Sequence, residues 1–234
     1  DAANTWLAQH GLDGITVVEP TGIDPGNTAD PASLLALASR ALADPVIAEI
    51  VATRSVDLPG AGLVENTNTL LADEGVVGVK TGTLDESWNL LSAEEVAIGD
   101  TTVRLYASVL GEVDAEGRDD ASRSMYEQAV ANLQPEPSVT AGTVAGAVTT
   151  LWGSDVDIVV SDDASVILWD GGSATVDASY DLDDARSDGE VVGTMSVDGP
   201  LDATTVTLEL ADDIEDPDPW WRLTHPLDLF GLAG

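Results

Sequence analysis

The sequence has very few positive charges. Its 234 residues hold eight lysine and arginine side chains against 43 carboxylates, which gives a formal net charge of -35. Because a phosphate backbone is bound mainly by lysine and arginine, this composition excludes nucleic acid as a partner. One of the eight basic residues is a lysine, Lys80, so a single ammonium group stands against a strongly acidic background.

Cysteine is absent and histidine is scarce. Without cysteine there are no disulfides, no thiolate nucleophiles and no cysteine-ligated zinc. His10 lies at a predicted helix end and His225 lies in the tail, so we predict neither a Ser-His-Asp triad nor a histidine metal site. The aspartates at 155–163 and 181–188 lack the spacing of a calcium loop, and solvated turns are expected there. We therefore expect no metal and no cofactor.

Long hydrophobic runs are also missing. No apolar stretch approaches the roughly 20 residues of a transmembrane helix, and the amino terminus lacks the pattern of a signal peptide. Near the other end, 220–232 interleaves tryptophan, leucine and phenylalanine after an acidic spacer. That pattern predicts either peripheral contact with a membrane interface or packing against the preceding strands.

Hydrophobic residues are present in an ordinary proportion, 44%, and their spacing predicts first helices and then strands. Asp30-Pro31 and Asp44-Pro45 are typical helix starts, because aspartate caps a helix and proline fits its first turn. Apolar runs then predict three successive strands and a covering helix. These elements are predicted at 76–81, 88–96, 102–110 and 118–133.

The pattern changes after Pro135-Glu136-Pro137, which we interpret as the end of a helix and a domain boundary. Short β-rich runs then alternate with glycine and aspartate turns, and this spacing predicts a small all-β sandwich or barrel, of which we favour the sandwich. The predicted fold class is α+β, an antiparallel sheet with helices followed by the sandwich domain. The predicted domains are 1–134, 138–212 and a spacer and tail at 213–234.

One motif stands out around the single lysine. Val76-Val77-Gly78-Val79 is typical of a short buried strand, and Lys80-Thr81-Gly82-Thr83 follows directly. Gly82 has no side chain and leaves room for another backbone to approach. This arrangement suits a strand edge that holds a ligand.

The sequence around this motif resembles the D-alanyl-D-alanine carboxypeptidases, which are low-molecular-weight penicillin-binding proteins. Lys-Thr-Gly is one element of the signature set of penicillin-binding proteins and serine β-lactamases. The resemblance runs in order along nearly the whole chain. It includes Glu19-Pro20-Thr21-Gly22-Ile23-Asp24, Asn66-Thr67-Asn68-Thr69-Leu70-Leu71, Gly117-Arg118, Trp152-Gly153 and Gly189-Glu190-Val191-Val192-Gly193-Thr194.

The resemblance implies a function and roles for individual residues. Lys80, Thr81 and Gly82 would form part of the catalytic site, and the backbone N–H of Thr83 would be one oxyanion-hole donor. Arg118 would bind the terminal carboxylate of the substrate. The substrate would be a peptidoglycan stem peptide ending in D-Ala-D-Ala, with β-lactams as inhibitors, and the protein would act outside the cell, in the envelope. Domain 1–134 would be the carboxy-terminal part of the transpeptidase-like domain.

One departure from the family pattern is decisive for activity. The family nucleophile lies in a Ser-x-x-Lys motif, whereas the residue three before Lys80 is Val77. We therefore expect this sequence to be the carboxy-terminal part of a longer enzyme and to be inactive by itself. Ser87-Trp88-Asn89 matches the family's Ser-x-Asn triplet in letters only, because it follows Lys-Thr-Gly. A non-catalytic wall-binding or interaction protein of the same fold, or a β-lactamase-related hydrolase, remains an alternative.

Overall fold

The computed structural model describes residues 2–182 and 184–226. It divides into two compact units with the boundary between Asn132 and Leu133. In chain order the first unit contains α1 (Ala2–Gln9), β1 (Ile15–Thr16), β2 (Thr28–Ala29), α2 (Pro31–Leu42), α3 (Pro45–Ala52), β3 (Ser55–Leu58), β4 (Gly62–Glu65), a 3-10 turn (Thr69–Ala72), β5 (Val76–Leu84), β6 (Ser87–Ile98), β7 (Thr101–Glu112) and α4 (Ala115–Asn132).

Helices α2 and α3 begin where the sequence predicts. The carboxylate of Asp30 accepts a hydrogen bond from the backbone N–H of Ser33 at 2.8 Å, and Asp44 accepts one from Val46 at 2.9 Å. Each aspartate thus satisfies an amide that has no partner within the helix, and a proline follows it at the first helical position. Local sequence alone therefore sets both helix starts.

The centre of the first unit is an antiparallel sheet in the order β5-β6-β7. Neighbouring residues of β6 point to opposite faces of this sheet. Leu91 borders a cavity that is also lined by Leu34 and Leu37 of α2. Ser92 accepts a 2.7 Å hydrogen bond from the buried Tyr126 of α4. Helices α2 and α4 therefore lie on opposite faces, and the sheet is the middle layer.

The second unit is built mainly from strands. It contains β8 (Leu133–Val139), β9 (Val144–Thr149), β10 (Asp155–Val160), β11 (Ala164–Trp169), β12 (Thr175–Tyr180), β13 (Val191–Asp198), β14 (Ala203–Leu210) and the short α5 (Pro219–Thr224). An antiparallel sheet in the order β12-β13-β14-β10-β9 and the pair β11-β8 share one hydrophobic core. The prediction of an α+β fold with antiparallel sheets is confirmed.

The structure differs from the sequence interpretation at Pro135-Glu136-Pro137. These residues are part of β8, where Pro135 lies opposite Ile167 and Pro137 lies opposite Ser165. Proline cannot donate an amide hydrogen bond, but a strand in a two-stranded sheet has one unpaired side where no donor is needed. The helix before it ends at Asn132 and β8 starts at the next residue, so these prolines are not a linker.

The predicted tail, 220–232, is described as far as Pro226. Trp221 stacks on His225 with ring centroids 4.7 Å apart and makes a T-shaped contact with Trp152, with centroids 6.0 Å apart. Among the described residues no helix is both long and apolar enough to cross a membrane. Residues 227–232 lie outside the described residues, and peripheral membrane contact stays a prediction.

Candidate functional site

The residues predicted to form the site line one cavity of the first unit. Lys80, Thr81, Gly82, Thr83 and Arg118 all border a space of about 760 Å³. Strand β5 forms one wall, and the remaining walls come from the first turn of α4, from β6, from the loop at 21–23 and from the segment at 67–69. The additional lining residues are Thr21, Gly22, Ile23, Thr67, Thr69, Leu84, Trp88, Asn89 and Ala115.

Lys80 lies at the open surface of this cavity and not in the interior. Its side chain is exposed, and its ammonium group donates a hydrogen bond to the carbonyl oxygen of Thr81. Lys80 is opposite Leu91 on β6, and within the described residues β5 has no strand on its other side. The lysine therefore places a positive charge on a strand whose second edge has no strand partner in the part of the chain that the structure describes.

The turn 66–69 holds hydroxyl groups against β5. The Thr67 hydroxyl lies 2.6 Å from that of Thr81. The amide of Asn66 donates to the backbone carbonyl of Thr53 at 3.0 Å, and the Oδ1 atom of Asn68 accepts from the backbone of Leu70 at 3.2 Å. Both asparagines thus shape the turn, which places Thr67 at the cavity.

Arg118 is buried, with 2% of its surface exposed. Its Nε and Nη2 atoms both donate to Oδ1 of Asp119, at 2.9 Å and 2.8 Å. The guanidinium carbon lies 5.8 Å from the centre of the Trp88 ring. Asp119 also accepts a hydrogen bond from Thr69. Arg118 is thus already paired with Asp119, and it is also one of the residues that line the cavity.

The triplet Ser87-Trp88-Asn89 opens β6 and does not precede β5. Asn89 lies opposite Gly82, and its Oδ1 atom accepts a hydrogen bond from the backbone of Gly111 at 2.9 Å. Trp88 and Asn89 nevertheless line the cavity. Their place there depends on strand pairing, which the triplet itself does not reveal.

Glu19 organises the loop that forms another wall. Its carboxylate accepts hydrogen bonds from the backbone amides of Thr21 at 2.6 Å, Gly22 at 2.7 Å and Ile23 at 2.9 Å. Asn27 donates to it at 2.6 Å and also accepts from the backbone of Val18 at 2.8 Å. One carboxylate thus satisfies the successive amides of a segment that lines the cavity. The sequence shows this loop only as a run of turn-forming residues.

We predict that the loop keeps its shape until the pH is very low. Hydrogen bonds, first of all from the Thr21 hydroxyl, lower the pKa of Glu19 from 4.5 to about 2. A carboxyl group with a lowered pKa stabilises the folded loop fully above pH 4.5, and the stabilisation is lost as the pH falls from 4.5 toward about 2. The amide chemical shifts of Gly22 and Ile23, followed by NMR, report the folded-state pKa and should change with a midpoint near pH 2. Glu19→Gln should shift the same amides at pH 7, whereas Asp13→Asn at an exposed position should not. A midpoint near 4.5 would contradict the prediction.

Two glycines of β5 provide a matched pair of substitutions. A β-carbon on Gly82 would meet only Asn89, at 3.9 Å, whereas one on Gly78 would lie 2.7 Å from a methyl group of Val51. Gly78 also has a φ of +145°, which other residues rarely adopt. We predict that Gly78→Ala lowers the free energy of unfolding by about 1–3 kcal/mol, while Gly82→Ala leaves it unchanged. Urea unfolding of both variants tests this, and equal stability of the two would contradict it.

No group of three or more metal-ligating side chains occurs within the described residues. The groups that line the cavity are the exposed ammonium of Lys80, several threonine hydroxyl groups, the edge of β5 and the buried Arg118. These groups suit the binding of an extended peptide with a terminal carboxylate.

The chain has the fold of the low-molecular-weight penicillin-binding proteins. It is similar to a peptidoglycan synthesis regulatory factor, PBP3, from Streptococcus pneumoniae, with a TM-score of 0.57 and 20% identity over 92% of this chain and 68% of that one. Further matches are penicillin-binding protein D2 from Listeria monocytogenes in its ampicillin-bound form (TM-score 0.48, 25% identity, 54% of this chain and 53% of that one) and the D-alanyl-D-alanine carboxypeptidase DacD from Francisella tularensis (TM-score 0.46, 15% identity, 91% and 67%). No family model and no curated protein matches the sequence.

Proposed function

We propose that this chain carries the substrate-binding part of a serine-type D-Ala-D-Ala carboxypeptidase that acts on peptidoglycan stem peptides. The observation that carries the proposal is the exposed ammonium of Lys80 on an edge strand, in one cavity with Thr81, Gly82, Thr83 and Arg118. The fold is consistent with it. The protein would work at the outer face of the cytoplasmic membrane or in the cell wall.

In this proposal the peptide binds as an added strand along the free edge of β5. Its backbone pairs with unpaired N–H and C=O groups of that strand, and Gly82 allows the close approach. The ammonium of Lys80 attracts the terminal carboxylate. Lys80 is the one lysine of a strongly acidic chain, so its positive charge marks this part of the surface for an anionic group. Arg118, which also lines the cavity, would be a second donor to this carboxylate.

The chemistry needs a nucleophile that this sequence does not contain in the family's form, because no Ser-x-x-Lys motif is present. A serine from such a segment would attack the carbonyl between the two D-alanines, and the lysine one helical turn later would take its proton. The backbone N–H of Thr83 would stabilise the oxyanion. The C–N bond then breaks, D-alanine leaves with the proton, and water hydrolyses the acyl-enzyme.

The test is a comparison of stereoisomers. The chain is titrated with diacetyl-L-Lys-D-Ala-D-Ala and with diacetyl-L-Lys-L-Ala-L-Ala while backbone NMR signals are followed. We expect the D,D peptide to bind more tightly and to shift the signals of Lys80, Thr81 and Thr83. Equal affinity for both peptides, or shifts outside the cavity, would refute the binding role.

A binding protein without catalysis is the second candidate, and the missing Ser-x-x-Lys motif favours it. This chain alone should release no D-alanine and should form no covalent adduct with fluorescent penicillin. If a longer gene product that includes this chain and a Ser-x-x-Lys segment releases D-alanine, the enzyme is supported. If that product binds the D,D peptide without releasing D-alanine, the non-catalytic role is correct.

A further inference from the structure

The second unit has a groove between two open strand edges. Within the described residues its main sheet ends on β12 at one side and β9 at the other. Residues of both strands, among them Val144 and Val176, line one space of about 490 Å³, and Met195 of β13 borders it as well. The sheet therefore curves far enough to bring its two ends to the same groove.

A contact between the two edge strands closes one end of this groove. A β-carbon added to Gly146 of β9 would lie 2.3 Å from the hydroxyl oxygen of Tyr180 on β12. Glycine is thus required where the tyrosine side chain crosses from one edge to the other. Besides β9, β12 and β13, the groove is lined by the end of β8 and the turn that follows it, at Pro137, Ser138, Val139, Thr140 and Thr143.

Two of the apolar side chains that line the groove are exposed. Val144 is 57% exposed and Val176 is 50% exposed, and every residue of β12 is exposed. Proteins usually protect an open strand edge with charged side chains, especially lysine, or with proline. Strand β12, Thr175 to Tyr180, contains no lysine and no proline, and its one charged residue is the exposed Asp177. An open edge with an acidic side chain suits the addition of a strand that carries basic residues.

The directions of the strands match the insertion of one more strand. Four successive antiparallel pairings connect β12 to β9, so these two strands run in the same direction. A single extended segment in the groove is therefore antiparallel to both of them at once. The alternate side chains of that segment would point toward Met195 and the two valines.

Charge decides between a second copy of this chain and another partner. The lysine and arginine residues of 133–234 are Arg186 and Arg222 alone, among many aspartates and glutamates. Two copies would repel each other, whereas a cationic segment is attracted.

We propose that the groove between β9 and β12 binds an extended segment of a basic partner protein by strand addition. In the bound segment apolar side chains alternate with lysine or arginine. The apolar side chains enter the groove, the basic ones face outward toward the acidic surface, and the backbone pairs with the edge of β12. The site is separate from the cavity of Lys80 and does not depend on the function proposed for it.

The probe is the N-acetylated, C-amidated peptide Lys-Val-Lys-Val-Lys-Val-Lys, added to the whole chain. Its controls are Lys-Ser-Lys-Ser-Lys-Ser-Lys, with the same charge, and Glu-Val-Glu-Val-Glu-Val-Glu, with the same apolar residues. We expect calorimetry to show binding of the first peptide only. Hydrogen exchange should then slow at 144–149 and 175–180. Val144→Ser with Val176→Ser should weaken binding about tenfold, and Leu151→Ser, at an exposed position outside the groove, should not.

Each other outcome overturns the proposal. Equal binding of the valine and serine peptides would show nonspecific attraction to an acidic surface. Protection that maps away from both strands would place the peptide elsewhere. If sedimentation shows that the chain dimerises and that the double serine variant is monomeric, the groove is a self-association surface.

Discussion

Replacing Lys80 by methionine is expected to weaken binding of the D-Ala-D-Ala peptide by about 10- to 100-fold. A hydrogen bond between an ammonium and a carboxylate contributes about 1.5–3 kcal/mol, and each 1.4 kcal/mol corresponds to about tenfold in affinity. Lys80 is exposed and lines the cavity, so its loss should not change the free energy of unfolding. The measurement is peptide affinity by calorimetry or NMR at low salt.

The matched control is Arg40→Met, which removes one positive charge from an exposed helical position that does not line the cavity. It separates the local effect of Lys80 from the change in net charge. A second arm uses the C-amidated peptide, which has no terminal carboxylate. Wild type and Lys80→Met should bind that peptide equally, because the lost interaction is then absent from both. A difference that persists with the amidated peptide would contradict the assignment of Lys80 to the carboxylate.

The largest effect on stability is expected for Asp119→Ala. Arg118 and Asp119 are 2% and 7% exposed and form a buried ion pair. Removing the carboxylate leaves a buried guanidinium without its partner, which costs about 3–5 kcal/mol in the free energy of unfolding. The control is Asp73→Ala, which breaks the exposed pair with Arg123 and should cost at most about 1 kcal/mol. Urea unfolding of the chain measures both.

A double variant distinguishes the charge effect from lost packing. Replacing both partners of a buried pair with apolar residues of similar size is often neutral, so Arg118→Met with Asp119→Leu should recover most of the stability. If Asp119→Ala proves no more destabilising than Asp73→Ala, the pair is not as buried as the structure shows. The stable double variant also tests the predicted role of Arg118, because its peptide affinity should fall if the arginine binds the carboxylate.

The candidate site could be predicted from the sequence because lysine is so rare in this acidic chain. With one lysine in an acidic chain, the strand ending in Lys80-Thr81-Gly82 was the natural place to expect an anionic ligand. The structure extends that strand to Leu84 and places Lys80 on the cavity wall. The roles of these residues remain predictions, because binding has to be measured.

Other parts of the site could not be predicted, since they depend on contacts between distant segments. Thr69 and Asp119 are bonded across 50 residues of sequence. The burial of Arg118 depends on Asp119, which bonds its guanidinium, and on Trp88, whose ring lies 5.8 Å from it. The sequence does not show the role of Glu19, because that role depends on the following backbone amides bonding to its carboxylate.

The sequence by itself determined the local elements of this protein. Asp30 and Asp44 start helices through hydrogen bonds within a few residues, and alternating apolar residues define most of the strands, because these signals are short in range. Only the tertiary structure decided which strands are edges, that Pro135 and Pro137 lie in a strand, and that β9 and β12 border one groove. Pairing, burial and curvature are set by partners far away in the chain, and no local pattern of residues contains that information.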